Sequence, residues 1–347
     1  MKNFFSEKII GPIRDAILGE LWESSVFDNK SFEVVQTVLA QQAQSAAPGD
    51  PKSLNIPSKE TTEEVSTIRN RNLISADQQE KLKKTTVAFF GLSVGTHAAT
   101  TWMMESRAEA IKIIDPDIVA PSNLNRLRLS WDTVGKEKVE AVREQLEGIN
   151  PYATVFCSKE TSSEAMEKIL DDKPKVAVIV DAIDDMEGKI FLRKFAKKRN
   201  IPLVSAADVG DNVVLDIERY DISPQPKYFL GRIPNMDHVN FASLSDRERR
   251  SLIINLVGFE ENSEAMLDSL LNIGKKVKTW PQLGATATIA GGIVTTTIKK
   301  IILGENVASG RYYFSLDSLL VEGFNSKESL ERRNEKIKKV KEEFMIE

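Results

Sequence analysis

From Thr85 onward the chain alternates short apolar runs, rich in β-branched and aromatic residues, with stretches whose apolar positions recur every three or four residues. The runs are TVAFF (86–90), AIKII (110–114), ATVF (153–156), VAVIV (176–180), PLVSA (202–206) and VVLDI (213–217). Runs of this length, apolar at successive positions, suit strands covered on both faces. Between them, Val94, Ala98, Ala99, Trp102 and Met103 mark one helix face, and Val139, Val142, Leu146 and Ile149 mark another. The alternation predicts an α/β fold: a doubly wound, Rossmann-like, mostly parallel sheet covered by helices. Ligands bind such sheets beyond the carboxyl ends of the strands, so chemistry is sought in the residues just after each run.

The rest of the chain departs from this rhythm. Ile9, Ile13, Ile17 and Leu21 form one helical stripe and Val34, Val35, Val38 and Leu39 a second, after which Ala46 to Glu64 shifts to Ser, Pro, Thr, Gly and charge. This reads as a helical N-terminal extension and linker, 1–64, followed by a main domain, 65–325. Within that domain, residues from Asp221 to about Trp280 are Pro-rich, charged and irregular, with a helical stretch from Leu252 to Leu271, and are expected to be an insertion over the site. Gly284 to Leu303 places Ile289, Ile293, Val294, Ile298 and Ile301 among small residues and threonines, which suits a buried helix, and RYYFSL closes the domain as a final strand. The tail, 326–347, predicts a charged surface helix with Leu330, Ile337, Val340 and Phe344 on a thin stripe.

Composition narrows the function. With 347 residues, 41% hydrophobic, 28% charged and a net charge of −4, the chain is ordinary globular material without a protein-wide positive field, so nucleic acid is not the default partner. One cysteine excludes an intrachain disulfide and a four-thiolate zinc centre, and no zinc site is expected. The first residues have charges scattered among apolar positions, and nowhere do about 18 apolar residues run together. The expectation is a cytoplasmic protein without a membrane span.

The first strand is followed by G-L-S-V-G-T, with Gly91, Ser93 and Gly95 ahead of an apolar-faced helix. Glycine permits positive φ and close backbone approach, and a helix N-terminus offers unpaired N–H groups to phosphate. The loop lacks the further glycines of the dinucleotide fingerprint, and a bare structural turn remains open. Asp115 ends the second strand, where a carboxylate can accept from ribose hydroxyls or can simply cap a turn with Pro116.

Next come D-P-D-I-V-A-P-S-N-L-N-R-L-R, D-T-V-G-K-E-K-V-E-A and I-N-P. In this order and spacing they resemble the ThiF/MoeB family, the adenylating core of the ubiquitin-activating-enzyme superfamily. Asp115, Asp117, Val119, Ser122, Asn123, Leu124, Arg126, Val134, Gly135, Lys138, Ile149, Asn150 and Pro151 carry the match, D-A-I-D-D after the fourth run continues it, and it spans Arg69 to Leu316. The resemblance implies an ATP-dependent adenylyltransferase that activates a carboxylate, on a carrier protein, peptide or small molecule, as an acyl-adenylate with release of pyrophosphate. It implies ATP and Mg2+ as cofactors, a homodimer, Asp184 as the magnesium ligand, and Arg71 as an arginine reaching a partner's ATP site.

The residue types suit that chemistry on their own account. A carboxylate attacking an α-phosphate brings anions together, so fixed donors and positive charge must dominate. Arg126 offers a planar fork, Lys138 a point charge and Asn123 a neutral amide. Asp181 is expected to anchor a strand end, and Asp185 stands where many relatives carry Asn. Cys157, near the end of a strand, is expected to be a structural thiol, so no thioester-forming cysteine is anticipated. His97 and His238 are read as polar residues, with His97 near phosphate as the alternative. Leu127, where many relatives have Gln, and the sparse glycine loop keep open a degenerate nucleotide-binding scaffold or regulatory subunit. A nicotinamide or flavin oxidoreductase would leave Arg126, Lys138 and Asp184 without shared purpose.

Overall fold

A computed structural model describes residues 59–233 and 244–346. The helices read from residues 1–45, most of the linker and His238 lie outside the described residues. The chain divides into two compact units, Met1–Gln79 and Glu80–Glu347. The unit holding the sheet thus starts later than the compositional break at 64. In the first unit, α1 (Lys59–Thr67) leads into a 3-10 turn, and the Arg71 guanidinium pairs with Glu64. The chain passes from one unit to the other within α2 (Ala76–Lys83).

The second unit is built on a seven-stranded sheet in the order β3-β2-β1-β4-β5-β6-β7. Its strands are β1 (Thr86–Phe90), β2 (Ala110–Ile114), β3 (Thr154–Ser158), β4 (Val176–Asp181), β5 (Leu203–Val209), β6 (Asn212–Glu218) and β7 (Gly310–Ser315). The first five run parallel, and β6 and β7 join antiparallel. Every residue of β1 is buried, which is why its sequence is apolar without alternation. The helices α3 (Val94–Ser106), α4 (Lys138–Ile149), α5 (Ser163–Asp171) and α6 (Met186–Arg199) make the crossovers.

Two features differ from the sequence reading. β5 runs three residues past its apolar segment, because Val209 pairs with Asn212 across a two-residue turn whose Gly210 has φ +68°. That extension carries Asp208 into the strand. The single helix expected over 252–271 is instead α7 (Asp246–Val257) and α8 (Glu264–Asn272), separated where Gly258 turns to φ +87° and Ser263 caps the second helix.

The next helix, α9 (Gly284–Leu303), is long and apolar enough to cross a membrane by length and composition, its threonines and small residues standing in for an unbroken apolar run. Here it packs against α3 and β5 inside the unit. A side chain at Gly291 would put its Cβ 2.4 Å from His97 Cβ, so glycine is what lets α9 approach α3. After β7 and the short α10 (Leu316–Leu320), α11 (Lys327–Phe344) forms the charged tail. Val340 and Phe344 are buried with Ile254, Phe259, Leu267 and Leu270. The tail is therefore half embedded and shares a compact unit with the sheet.

Candidate active site

The order of strands reverses between β1 and β4, and a ligand crevice opens at such a point in parallel sheets. Gly91 ends β1 at φ +83°, where an added Cβ would lie 2.3 Å from the Ala182 carbonyl oxygen at the exit of β4. Gly95 is less constrained, since a Cβ there would meet only Ala182 Cβ at 3.5 Å. No side chain caps α3: the Oγ of Ser93, its N-cap residue, accepts a 2.9 Å hydrogen bond from Arg126 Nε. The first N–H groups of α3 therefore lack a side-chain acceptor and suit an anion.

Arg126 is held from several sides. Its Nη1 donates to Asn125 Oδ1 at 2.9 Å and to the Ser122 carbonyl at 3.2 Å, and its backbone N–H donates to the Asn123 carbonyl. Asn123 uses its carboxamide oxygen to accept from Ala120 N–H at 2.9 Å, which leaves its NH2 as the donating half. His97 Nε2 donates to the Arg126 carbonyl oxygen. Burial lowers the His97 pKa, while this hydrogen bond acts in the opposite sense. A neutral imidazole with its proton on Nε2 thus fixes the arginine loop rather than meeting phosphate.

Asp115, Asp117 and Lys138 make a separate cluster beside the glycine loop. Lys138 Nζ lies 2.7 Å from Asp117 Oδ2 and 3.5 Å from Asp115 Oδ1, in a residue only 6% exposed. Asp115 accepts from the N–H of Leu92 at 2.6 Å and of Asp117 at 2.9 Å. Burial pushes the Asp115 carboxyl above its usual range, and Lys138 pulls it back. Sequence reading gave Lys138 a phosphate and Asp115 a ribose; in the structure both are engaged with protein groups, and neither lines the main cavity. Arg71 belongs to the other unit.

That cavity, about 850 Å³, has Ser93, Asn123, Arg126 and Asp184 on its wall. α7, residues 277–283 and Phe344 complete the wall. Among the three acids after β4, Asp185 caps α6 by accepting from Gly188 N–H at 2.7 Å. Asp181 is fully buried against Lys189 at 3.1 Å and Arg193 at 2.6 Å. Burial would raise the Asp181 pKa, but the two cations prevail and hold it below the usual carboxylate range. Asp184 is exposed and is the one of the three on the cavity wall. A hard carboxylate oxygen facing a nucleotide-sized space fits a magnesium ion.

Sequence reading missed several wall residues: Lys189, Arg193, Asp208, and Asp216 with Arg311, whose Nε donates to Asp216 Oδ1 at 2.7 Å. The available signal was an acid inside an apolar strand run, since buried acids need partners. Leu127 is buried and is not among the cavity wall residues. Cys157 lies half-buried on β3, paired with Ile113 of β2, and burial pushes its thiol up to about 11.

Residues 67–338 match the model of the ThiF family. The chain belongs to that family. It is 27% identical over 253 residues to an uncharacterized protein, MT1398, of Mycobacterium tuberculosis, covering 73% of this chain and 35% of that protein. It is 33% identical to the tRNA threonylcarbamoyladenosine dehydratase of Bacillus subtilis over 45% of this chain and 60% of that one. Against the molybdopterin-synthase adenylyltransferase of Haemophilus influenzae it is 26% identical, covering 59% and 82%. The chain spans between 34% and 60% of the length of the first three curated relatives. The crystal structure of PaaA shares the fold, at a TM-score of 0.53 and 23% identity, covering 82% of this chain and 79% of that one.

Proposed function

We propose that this ThiF protein is an ATP-dependent adenylyltransferase that activates a carboxylate as an acyl-adenylate. The observation that carries the reading is that the uncapped α3 N-terminus, Arg126 and Asp184 all line one cavity at the sheet's switch point. A carboxylate oxygen of the substrate attacks the α-phosphorus of ATP, the bond to the bridging oxygen breaks, and pyrophosphate leaves. The α3 N–H groups and Arg126 stand where negative charge gathers on the phosphate oxygens. Asn123 can donate a neutral hydrogen bond to the same groups. Magnesium, when bound, neutralises phosphate charge, and Asp184 would hold it.

The part of the cavity lined by Ile253, Ile254 and Leu256 takes the acyl substrate. Its apolar wall favours a small carboxylate or peptide end with an apolar body. A cytoplasmic homodimer belongs to the same reading; the outer strand β7 exposes Tyr312, Tyr313 and Phe314, which supports a partner copy, and sedimentation equilibrium tests it.

ATP–pyrophosphate exchange with a panel of apolar carboxylates and peptides tests the activity. Exchange is expected with at least one of them and is expected to vanish in Asp184→Ala. Tight ATP binding with no exchange across the panel would instead mark a nucleotide-binding scaffold.

A further inference from the structure

Asp208, like Asp216, is an acid in this site that no motif marked. It lies on β5, 4% exposed, and lines the same cavity as Arg126 and Asp184. Its Oδ1 accepts from Gln282 Nε2 at 3.0 Å, while its Oδ2 is buried and has no hydrogen-bond partner. A buried carboxylate oxygen without a donor is costly, and an orphan of this kind in a ligand cavity calls for a missing partner.

Asp208 and Asp184 line one cavity. Pairing between β4 and β5 ends at Asp181 and Ser205, and both acids lie beyond it, Asp184 in the loop that leaves β4 and Asp208 within β5. Most cations on the wall are committed elsewhere. Arg126 is tied to Ser93 and Asn125, Lys189 and Arg193 to Asp181, and Arg311 to Asp216. Among the described residues, Asp184 makes no ion pair.

We propose that Asp208 is a second carboxylate ligand for the divalent cation that accompanies the nucleotide, acting with Asp184. The proposal rests on the adenylation reading above. Magnesium bound alongside phosphates takes one or two protein carboxylates and keeps its remaining positions for phosphate oxygens and water, so two acids suffice. Gln282, held in turn by Asn125 Nδ2 donating to its backbone carbonyl at 2.8 Å, orients Asp208 and leaves Oδ2 for the metal. The role is particular to an acid at the end of β5.

Asp208→Asn keeps the Oδ1 acceptor for Gln282 and the side-chain volume, so the fold is preserved. The measurement is Mn2+ binding by electron paramagnetic resonance, on protein loaded with a non-hydrolysable ATP analogue, beside nucleotide affinity measured in EDTA. The expected result is Mn2+ affinity weakened by at least about tenfold in Asp208→Asn and in Asp184→Asn, with nucleotide affinity in EDTA unchanged. Mn2+ affinity within about twofold of wild type in Asp208→Asn, with normal nucleotide binding, overturns the ligand role and leaves adenylation standing. Wild-type protein that binds no nucleotide at all removes the adenylation reading and this proposal with it.

Discussion

Gly91 and Gly95 look equivalent in the sequence, yet only one is required by the backbone. Alanine at Gly91 would have to hold φ +83° and force its Cβ against the Ala182 carbonyl, so Gly91→Ala should cost more than about 2 kcal/mol. Gly95→Ala should change stability by no more than about 1 kcal/mol, because it meets only a methyl group at ordinary contact distance. Urea denaturation of the two variants checks the contrast. Arg126 and Lys138 separate in the same way. Arg126→Ala should weaken ATP binding by about 1.5–3 kcal/mol in calorimetry, the worth of a charge-assisted hydrogen bond. Lys138→Ala should act mainly on stability, since it strips the counter-charge from Asp115 and Asp117. Cys157, with its thiol pushed up to about 11, is almost wholly protonated at pH 8. Its alkylation by iodoacetamide should therefore be slow there and rise about tenfold per pH unit until that value is approached. Rapid labelling at pH 7 would contradict the buried environment.

At the scale of elements, one wall of the cavity is a joint product of segments distant in sequence. Trp280 Nε1 donates to the Asp208 carbonyl at 3.1 Å, and Asn125 holds Gln282, so residues 280–282 run as a strap between β5 and the arginine loop. Helix α11 closes the same wall from the C-terminal side through Phe344, which is 7% exposed and packs with α7 and α8. Phe344→Ala should destabilise the protein by about 3–5 kcal/mol, the cost of deleting a large buried side chain, and should loosen substrate binding more than ATP binding. Thermal unfolding and separate KM values for ATP and carboxylate read the two effects. The positions of the central strands were visible in the sequence because runs such as β1 and β6 are buried along their whole length. The break between α7 and α8 turned on the backbone of Gly258, which apolar periodicity does not report.

For the molecule as a whole, the sheet and the insertion meet over a buried charge network. Arg193 lies between Asp181 at 2.6 Å and Glu218 at 2.8 Å and stacks on Phe229, with its guanidinium 3.8 Å from the ring centre. Arg193→Met should cost about 3–5 kcal/mol by removing the cation buried between Asp181 and Glu218. The pH dependence has a definite sign. Asp181, held below its unfolded value, contributes stability above about pH 4 that is lost as pH falls through its lower folded pKa. The stability gap between wild type and Asp181→Asn should therefore shrink as urea titrations move below that pH. By itself, the amino-acid sequence determined the α/β alternation, the placement of the strands and the ThiF motifs, because burial on both faces and ordered short motifs are local, one-dimensional patterns. Only the tertiary structure decided that Lys138 faces protein acids, that His97 holds the Arg126 loop, and that Asp208 lines the same cavity as Asp184. A charged residue's role depends on which groups lie within a few ångströms of it, and here those groups come from strands and loops far apart along the chain.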